Sequence, residues 1–561
     1  MNIIKLVIFM TNKELADIMF PNVKHDIEYY ENLYPERNLK EGAVVSRFAP
    51  SPTGFVHMGS LLAAFIERKV PKQTGGVFFL RIEDTDGKRT VENGIGGIIA
   101  DLKAFHIDID EGVISETESK GEYGPYIQSE RKEIYETYAK YLVEQGLAYP
   151  CFCTPEEIEE IRSVQEKKKD RIGYYGRWAK CKYLSNEERI ERIKNGEKFI
   201  VRLNSPGNFD NKVVLNDLVR GRIEMPENDM DIVLIKSDGL PLYHFAHVID
   251  DHLMRTTHVL RGEEWIPSTP CHLQLFKIFG WKIPKYAHLG LVMKIGEDGA
   301  RRKLSKRKDP EAAVSFYHEK GIPVEAVKYY LMTIANSNFE AWWDQNKDKT
   351  YDDFTFDFKK MSLSGSLFDL EKLLNISKNY ISTMKAEELY DELVTYTEEF
   401  DSEFHQILKN DKDYALKVLN IEREKKKPRK DYAMYSDIRK YSWYMFDELF
   451  EKEEKTYDFQ NINDKDEIKN IVNEYFTNYY DENDDHETWF NKMKELAKKL
   501  GYADNMKDYK ENPDNYKGNI TDIATVIRVA ITTQAQTPDL YEILQVLGKD
   551  SILKRIEKEY Y

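Results

Sequence analysis

Apolar and polar positions follow two regimes along this chain. In the first part, short apolar runs rich in β-branched and aromatic residues alternate with helix-period stretches, and from about Asp309 onward only helix-period patterns remain. AVVSRFA (Ala43–Ala49) reads as a buried strand. It runs into a Pro/Gly loop, APSPTG, and then into the helix HMGSLLAAFIERKV (His57–Val70). GGVFFLRIEDTD (Gly75–Asp86) is a second apolar strand ending in acids, so strand, loop, helix and strand make a parallel βαβ unit whose ligands bind beyond the carboxyl ends of the strands. A second half of the same kind is expected in DIVLIKSDGLPLYHFAHVIDDHLMRTTHVLRGEEW (Asp231–Trp265), which makes the sheet split around an inserted domain.

Beyond Asp309 the segments PVEAVKYYLMTIAN (Pro323–Asn336) and SLFDLEKLLNISKNYIS (Ser366–Ser382) predict helices, with no further strand pairs. TPDLYEILQVLG predicts another, with Thr537 as cap, Pro538 in the first turn, Gly548 as stop, and Leu540, Ile543, Leu544 and Leu547 as a stripe that packs in a core. The expected class is therefore a multidomain α/β protein, a split parallel sheet with an insertion, followed by an all-helical C-terminal region. At roughly 100–200 residues per domain, 561 residues imply about three to five domains.

Charge narrows the partners. The net charge is −16, from 82 Lys+Arg against 98 Asp+Glu, so any nucleic-acid contact must come from local basic faces, and a general DNA coater is not expected. Four cysteines, Cys151, Cys153, Cys181 and Cys271, are too few for a disulfide framework and suit a reducing cytoplasm. The opening MNIIKLVIFM lacks a small-residue cleavage site and is expected to be a frayed extension or the product of an upstream start codon, not a signal peptide. No apolar run approaches the roughly 18 residues of a membrane span.

Two motifs carry chemistry. His57 opens a helix whose free N–H groups suit an anion, and Gly59 on the same turn lets a flat group lie against the backbone. ARRKLSKRKDP (Ala300–Pro310) places Lys303 and Lys306 around Ser305 in a cationic loop suited to a triphosphate. Alone, the first is as often a structural turn and the second a solvated charge run. Together, in this order and on either side of a split sheet, HMGS and KLSKR resemble the two signatures of class I aminoacyl-tRNA synthetases. RFAPSPTG, LRIEDTD, the segment from Tyr243 to Trp265, and LFDLEKL look like the bacterial-type glutamyl-tRNA synthetase family. That resemblance runs from about Val44 to Leu373 and resumes from Ile527 to Ile556. The leader and about 385–520 are least covered.

The resemblance implies a Rossmann-like catalytic domain in two halves (43–145 and 221–300) behind an N-terminal extension (1–42). It also implies an inserted acceptor-end-binding domain (146–220), a signature-loop and stem-contact region (301–385), and a helical anticodon-binding domain (386–561). It implies in-line attack of the glutamate α-carboxylate on the α-phosphate of ATP, with Mg²⁺ on the phosphates, then transfer to the terminal ribose of tRNA. The catalytic set would be His57, Gly59, Lys303, Ser305 and Lys306. ATP would meet Pro50, Thr53, Gly54, His57, Gly59, Ser60 and Lys306, and glutamate would meet Arg47, Ala49, Ser51, Glu83, Tyr243, His247 and Arg261. Arg47 and Arg261 are the specificity candidates, because a guanidinium holds a carboxylate through two parallel hydrogen bonds that a neutral amide cannot match in charge. For Arg261 the plainer role is an ion pair with Glu263 or Glu264. His247 departs from the asparagine that many relatives carry there.

By the same resemblance, Cys151, Cys153 and Cys181 are candidate ligands of a structural Zn²⁺, with Tyr183 as fourth ligand and Tyr175 as the alternative; simple packing of small thiols is the competing reading. REKKKPRKDYAMYSDIRK (Arg423–Lys440) interleaves basic and aromatic residues as a candidate tRNA surface. The implied partners are glutamate and glutamate tRNA, with glutamine tRNA left open, for a cytoplasmic monomer that uses neither membrane nor DNA. Glutaminyl-tRNA synthetase is the nearest alternative, disfavoured by APSPTG and the helical tail. A silent RNA-binding paralogue is disfavoured by the intact signatures.

Overall fold

The computed structural model describes residues 3–52, 56–86, 91–305 and 307–560. Thr53, Gly54 and Lys306, all three candidate site residues, lie outside the described residues. The chain divides into two compact units, one comprising residues 1–316 and 328–369 and the other 317–327 and 370–561.

The first unit opens with α1 (Ile3–Met19) and α2 (Ile27–Leu33). Of the stretch MNIIKLVIFM expected to fray, residues from Ile3 onward belong to α1, and from Leu15 onward the segment is fastened to the rest of the unit. Leu15, Ala16 and Phe20 are buried, Glu31 pairs with His252 at 2.8 Å and Arg255 at 3.0 Å, and Arg37 grips Glu111 through two hydrogen bonds of 2.7 and 3.0 Å. Next come β1 (Val45–Phe48), α3 (Met58–Thr74), β2 (Val77–Leu80), α4 (Gly94–Ala104), β3 (Glu111–Val113) and β4 (Ser119–Lys120). β1 pairs with β2 in parallel, Arg47 opposite Phe79, and β2 with β3 likewise, which is the βαβ unit the pattern predicts. The strands are short and almost wholly buried, as parallel strands covered on both faces must be.

α5 (Lys132–Glu144) leads to the insertion: β5 (Ala148–Cys151), α6 (Pro155–Lys168), α7 (Asn186–Lys194), β6 (Ile200–Leu203), β7 (Lys212–Asp217), β8 (Gly221–Pro226) and β9 (Val233–Ile235). β5, β6 and β9 form an antiparallel sheet, and β7 and β8 a hairpin. One expectation needs correcting here. Val233–Ile235, read as a strand of the second catalytic half that was placed at 221–300, pairs with β6 of the insertion, and β8 also belongs to the insertion's hairpin. Apolar runs of three to six residues do not declare their sheet.

The second half consists of α8 (Tyr243–Leu253), β10 (His258–Gly262), α9 (Thr269–Phe279) and β11 (Lys285–Leu289), with β10 and β11 parallel. It joins the first half edge to edge. The Thr257 amide donates to the Val45 carbonyl at 3.0 Å, and the Val45 amide donates to the Thr257 hydroxyl at 2.8 Å. β12 (Val292–Ile295) and β13 (Arg301–Lys303) make a hairpin, and a two-residue strand, β14 (Ser366–Leu367), pairs with β12 where only helix was expected.

The second unit is built from helices around a core of its own that includes Leu389, Leu408, Ile438, Ile471, Val526 and Leu544. The predicted stripe Leu540, Ile543, Leu544 and Leu547 is buried in it. The helix begins at Leu540, however, and Asp539, not Thr537, takes the Glu542 amide at 3.1 Å. Gly548, at φ 72°, interrupts it as predicted. No helix among the described residues is long and apolar enough to cross a membrane.

Candidate active site

A cavity of about 690 Å³ opens beyond the carboxyl ends of β1 and β10, where the split halves meet. Arg47, Ala49, Pro50, Ser51, His57, Gly59, Ser60, Glu83, Tyr243, Arg261, Lys303 and Ser305 all line it. The sequence motifs, more than 200 positions apart, thus converge on one space.

His57 is the N-cap of α3, and its Nδ1 accepts from the Ser60 amide at 3.1 Å. An acceptor Nδ1 places the proton of a neutral ring on Nε2, which lies 3.0 Å from the Ser60 hydroxyl, so the imidazole is set as a donor. A Cβ on Gly59 would lie 3.2 Å from that ring, so the glycine keeps the histidine in place as well as opening the backbone. On the opposite wall, β13 carries Lys303. The loop after it is pinned by a residue the sequence reading missed: Asp309 takes two hydrogen bonds of 2.6 Å from Arg302 and one of 2.9 Å from the Ser305 amide. The bond to Arg302 holds the Asp309 carboxyl well below the usual range.

The two arginines sit in different electrostatic settings. Arg47 is buried and already paired, its Nε 3.0 Å from Asp251, which also takes Arg81 at 2.8 Å. Burial opposes ionisation of Asp251, but Arg47 and Arg81 hold its carboxyl well below the usual range. Arg261, 7% exposed, has only neutral partners among the described residues: Nε donates to His288 Nε2 at 3.0 Å, one terminal nitrogen to Thr269 Oγ1 at 2.8 Å, and the other to His272 Nδ1 at 3.1 Å and Tyr243 Oη at 3.4 Å. The plainer role is excluded for Glu263, which pairs instead with Arg220, and among the described residues no ion pair joins Arg261 to Glu264. Burial keeps His288 and His272 below the usual histidine range, and the His288 ring is oriented by Asp217, 2.7 Å from its Nδ1. Among the described residues Arg261 is therefore a buried cation with no carboxylate hydrogen-bonded to it, which is costly until an anion arrives.

His247 is not brought to the cavity. Its ring is fully buried behind Tyr243, the two rings stacked at 5.5 Å. Nδ1 lies 2.6 Å from Asp251 and Nε2 3.1 Å from Tyr286 Oη, while burial pushes the imidazole down to about 3. A direct glutamate contact for His247 is thus replaced by support for Tyr243 and Asp251. Trp265, tilted onto Tyr243 at 4.2 Å, and Glu67 also line the cavity and were not foreseen.

In the insertion the sulfurs of Cys151, Cys153 and Cys181 come within 4.8 Å of one another. The fourth ligand expected from sequence is corrected: Tyr183 is 69% exposed, and Tyr175 donates to the Arg171 carbonyl. Tyr174 fills the place, its hydroxyl 3.3 Å from Cys153 Sγ and 3.5 Å from Cys151 Sγ. Three clustered sulfurs with a hydroxyl beside them suit a thiophilic cation, whose charge would have to draw the protons from the Cys153 thiol and the Tyr174 phenol, both pushed up in its absence.

In the second unit, most basic side chains of 423–440 are paired. Arg423 donates to the Ile381 carbonyl at 2.7 Å and the Met384 carbonyl at 3.0 Å, Lys425 meets Glu422 and Glu542, and Arg439 meets Asp401 and Glu403. Lys426 and Lys427 stand exposed.

A nucleotide-type helix terminus, a cationic hairpin loop and a pocket that holds a buried guanidinium beside carboxylates, in a split α/β sheet, define an enzyme that joins an amino acid to a nucleotide. The chain belongs to the class I tRNA synthetases of the E and Q group: the family described as "tRNA synthetases class I (E and Q), catalytic domain" matches residues 43–375. An "Anticodon binding domain" family matches 427–559. Among its relatives, a glutamate--tRNA ligase of Clostridium beijerinckii is 48% identical over 550 residues, covering 98% of this chain and 99% of its own. One of Acetivibrio thermocellus is also 48% identical over 550 residues, covering 98% of this chain and 100% of its own. A crystal structure of a glutamate tRNA ligase from Elizabethkingia meningosepticum, in complex with its amino acid, superposes with a TM-score of 0.74 at 26% identity. It covers 92% of this chain and 99% of that one.

Proposed function

We infer that the chain is a glutamate--tRNA ligase, activating glutamate with ATP and transferring it to the 3′ end of glutamate tRNA. The observation that carries the amino-acid choice is Arg261, a buried guanidinium with neutral partners only. A side-chain carboxylate supplies the missing charge, and the neutral amide of glutamine does not. Glu83, whose carboxyl is raised by burial against the pull of Arg81, receives the α-ammonium, and Ala49 and Ser51 border the same end of the cavity.

Activation needs little covalent chemistry from the protein. The α-carboxylate oxygen attacks the α-phosphorus of ATP, pyrophosphate leaves, and catalysis consists of alignment and charge stabilisation. His57 Nε2–H, which meets the Ser60 hydroxyl at 3.0 Å, is the donor offered to one side of the nucleotide at the start of α3. Lys303 and Ser305 face the phosphates from the other, with Pro50, Gly59 and Ser60 as the cradle, and Lys306, Thr53 and Gly54 are assigned to the same nucleotide by their place in the two motifs. Mg²⁺ neutralises phosphate charge when bound. Transfer then places the glutamyl group on the terminal ribose and releases AMP. The insertion is assigned to the acceptor end of the tRNA and the helical unit to its anticodon, the chain acting as a monomer in the cytoplasm. Purified enzyme is expected to charge glutamate tRNA with labelled glutamate in an ATP-dependent assay. No acid-precipitable glutamate on that tRNA would overturn the reading, and parallel reactions with glutamine tRNA decide whether that acceptor is also used.

Cys151, Cys153, Cys181 and Tyr174 would hold a structural Zn²⁺, which ties β5 to the loop before α7. Protein purified without chelator is expected to carry about one zinc per chain, and Tyr174→Phe to weaken its retention more than Tyr183→Phe. Metal-free protein that is folded and fully active would contradict this.

A further inference from the structure

Glu67 lies on α3 at the floor of the cavity, 2% exposed. Its Oε1 stands 3.7 Å from an Arg47 terminal nitrogen, and its Oε2 is buried with no hydrogen-bond partner among the described residues. The surrounding charges already balance: Arg47 and Arg81 are matched by Asp251 and Glu83, and Arg131 by Asp250 at 2.7 Å. A further carboxylate there would be a surplus buried anion with an unserved oxygen. We propose that Glu67 is a further specificity residue of the amino-acid pocket, a neutral carboxylic acid that donates its O–H to the side-chain carboxylate of glutamate beside Arg47.

This rests on the reading of the cavity as a glutamate site and deepens it. Arg47 and Arg261, which only donate, then stand in one wall with the Tyr243 and Glu67 hydroxyls, each of which can donate. A carboxylate, which only accepts, meets all of these donors, whereas the NH₂ of a glutamine side chain is turned away by the guanidinium N–H groups and brings them no charge. Burial supports the neutral form: it pushes the Glu67 carboxyl up to about 8, with Asp251 adding to the shift while Arg47 and Arg81 oppose it. These are the charged groups that face it, from β1, the end of β2 and α8. The donor is present below that value and lost as pH rises through it.

The test is glutamate-dependent ATP–pyrophosphate exchange with tRNA present, from pH 7 to 9, for the wild type, Glu67→Gln and Glu67→Ala, with thermal unfolding as a control for folding. Glu67→Ala is expected to lower kcat/KM for glutamate about tenfold to a hundredfold at pH 7. Glu67→Gln, which keeps a donor, is expected to lose about threefold to tenfold. The ratio of wild type to Glu67→Gln should fall about tenfold from pH 7 to 9, because only the wild type loses its donor. A ratio that is constant or rises with pH overturns the proposal, a rise indicating an ionised Glu67 that serves the α-ammonium. No glutamate-dependent exchange by the wild type at any pH would instead remove the reading of the cavity itself.

Discussion

Arg261→Gln is expected to lower kcat/KM for glutamate in pyrophosphate exchange by about 30-fold to several thousand-fold. That is the span of the roughly 2–5 kcal/mol lost when one partner of a buried charged hydrogen-bond pair is removed. The effect is large because nothing else offsets the charge: His272, His288, Thr269 and Tyr243 orient Arg261 without neutralising it. Arg47 cannot replace that charge, since Asp251, shared with Arg81, already offsets it, which leaves Arg47 as a paired donor to the same carboxylate. Glutamine, lacking the anionic side chain, should lose less, so the ratio of catalytic efficiencies for the two amino acids should narrow. The KM for ATP should stay within about threefold. An unchanged ratio would move side-chain recognition to Arg47, and a large loss of ATP affinity would indicate damage to β10.

His57→Ala is expected to lower kcat for activation by about 100- to 1,000-fold, the usual cost of removing one donor aimed at developing charge. The KM for glutamate should change by less than about threefold, because His57 belongs to the nucleotide end of the cavity. The ring is prepared for this: Nδ1 is held by the Ser60 amide, so Nε2 carries the proton without any change of tautomer during the reaction. Rapid-quench measurement of a single turnover separates the chemical step from product release. A loss confined to glutamate KM would place His57 in the amino-acid pocket instead.

The parts of this site legible in the sequence were those fixed by local chemistry. A strand, a Pro/Gly loop and a histidine before an apolar helix already determine where His57 and Gly59 lie, and the hairpin around Lys303 and Ser305 is similarly local. What escaped was set by distant packing. His272 and His288 reach Arg261 only because β10, α9 and β11 fold beside one another. Tyr183 and Tyr175 are the candidates a linear reading offers beside the cysteines, and only the turn of the chain aims the Tyr174 hydroxyl at the thiols. Glu67, in the charged tail of an apolar helix pattern, reads as solvent-facing, yet α3 turns that face onto β1. The strand Val233–Ile235 was misplaced for the same reason: apolar spacing names an element but not its partner.

The central claim is that the cavity selects glutamate by charge. The most direct measurement is tRNA-dependent ATP–pyrophosphate exchange by the wild-type enzyme with glutamate and with glutamine at equal concentrations. A site built to pair a carboxylate should reject the neutral amide, giving a kcat/KM at least about 1,000-fold higher for glutamate. Equal efficiencies, or a preference for glutamine, would contradict the account.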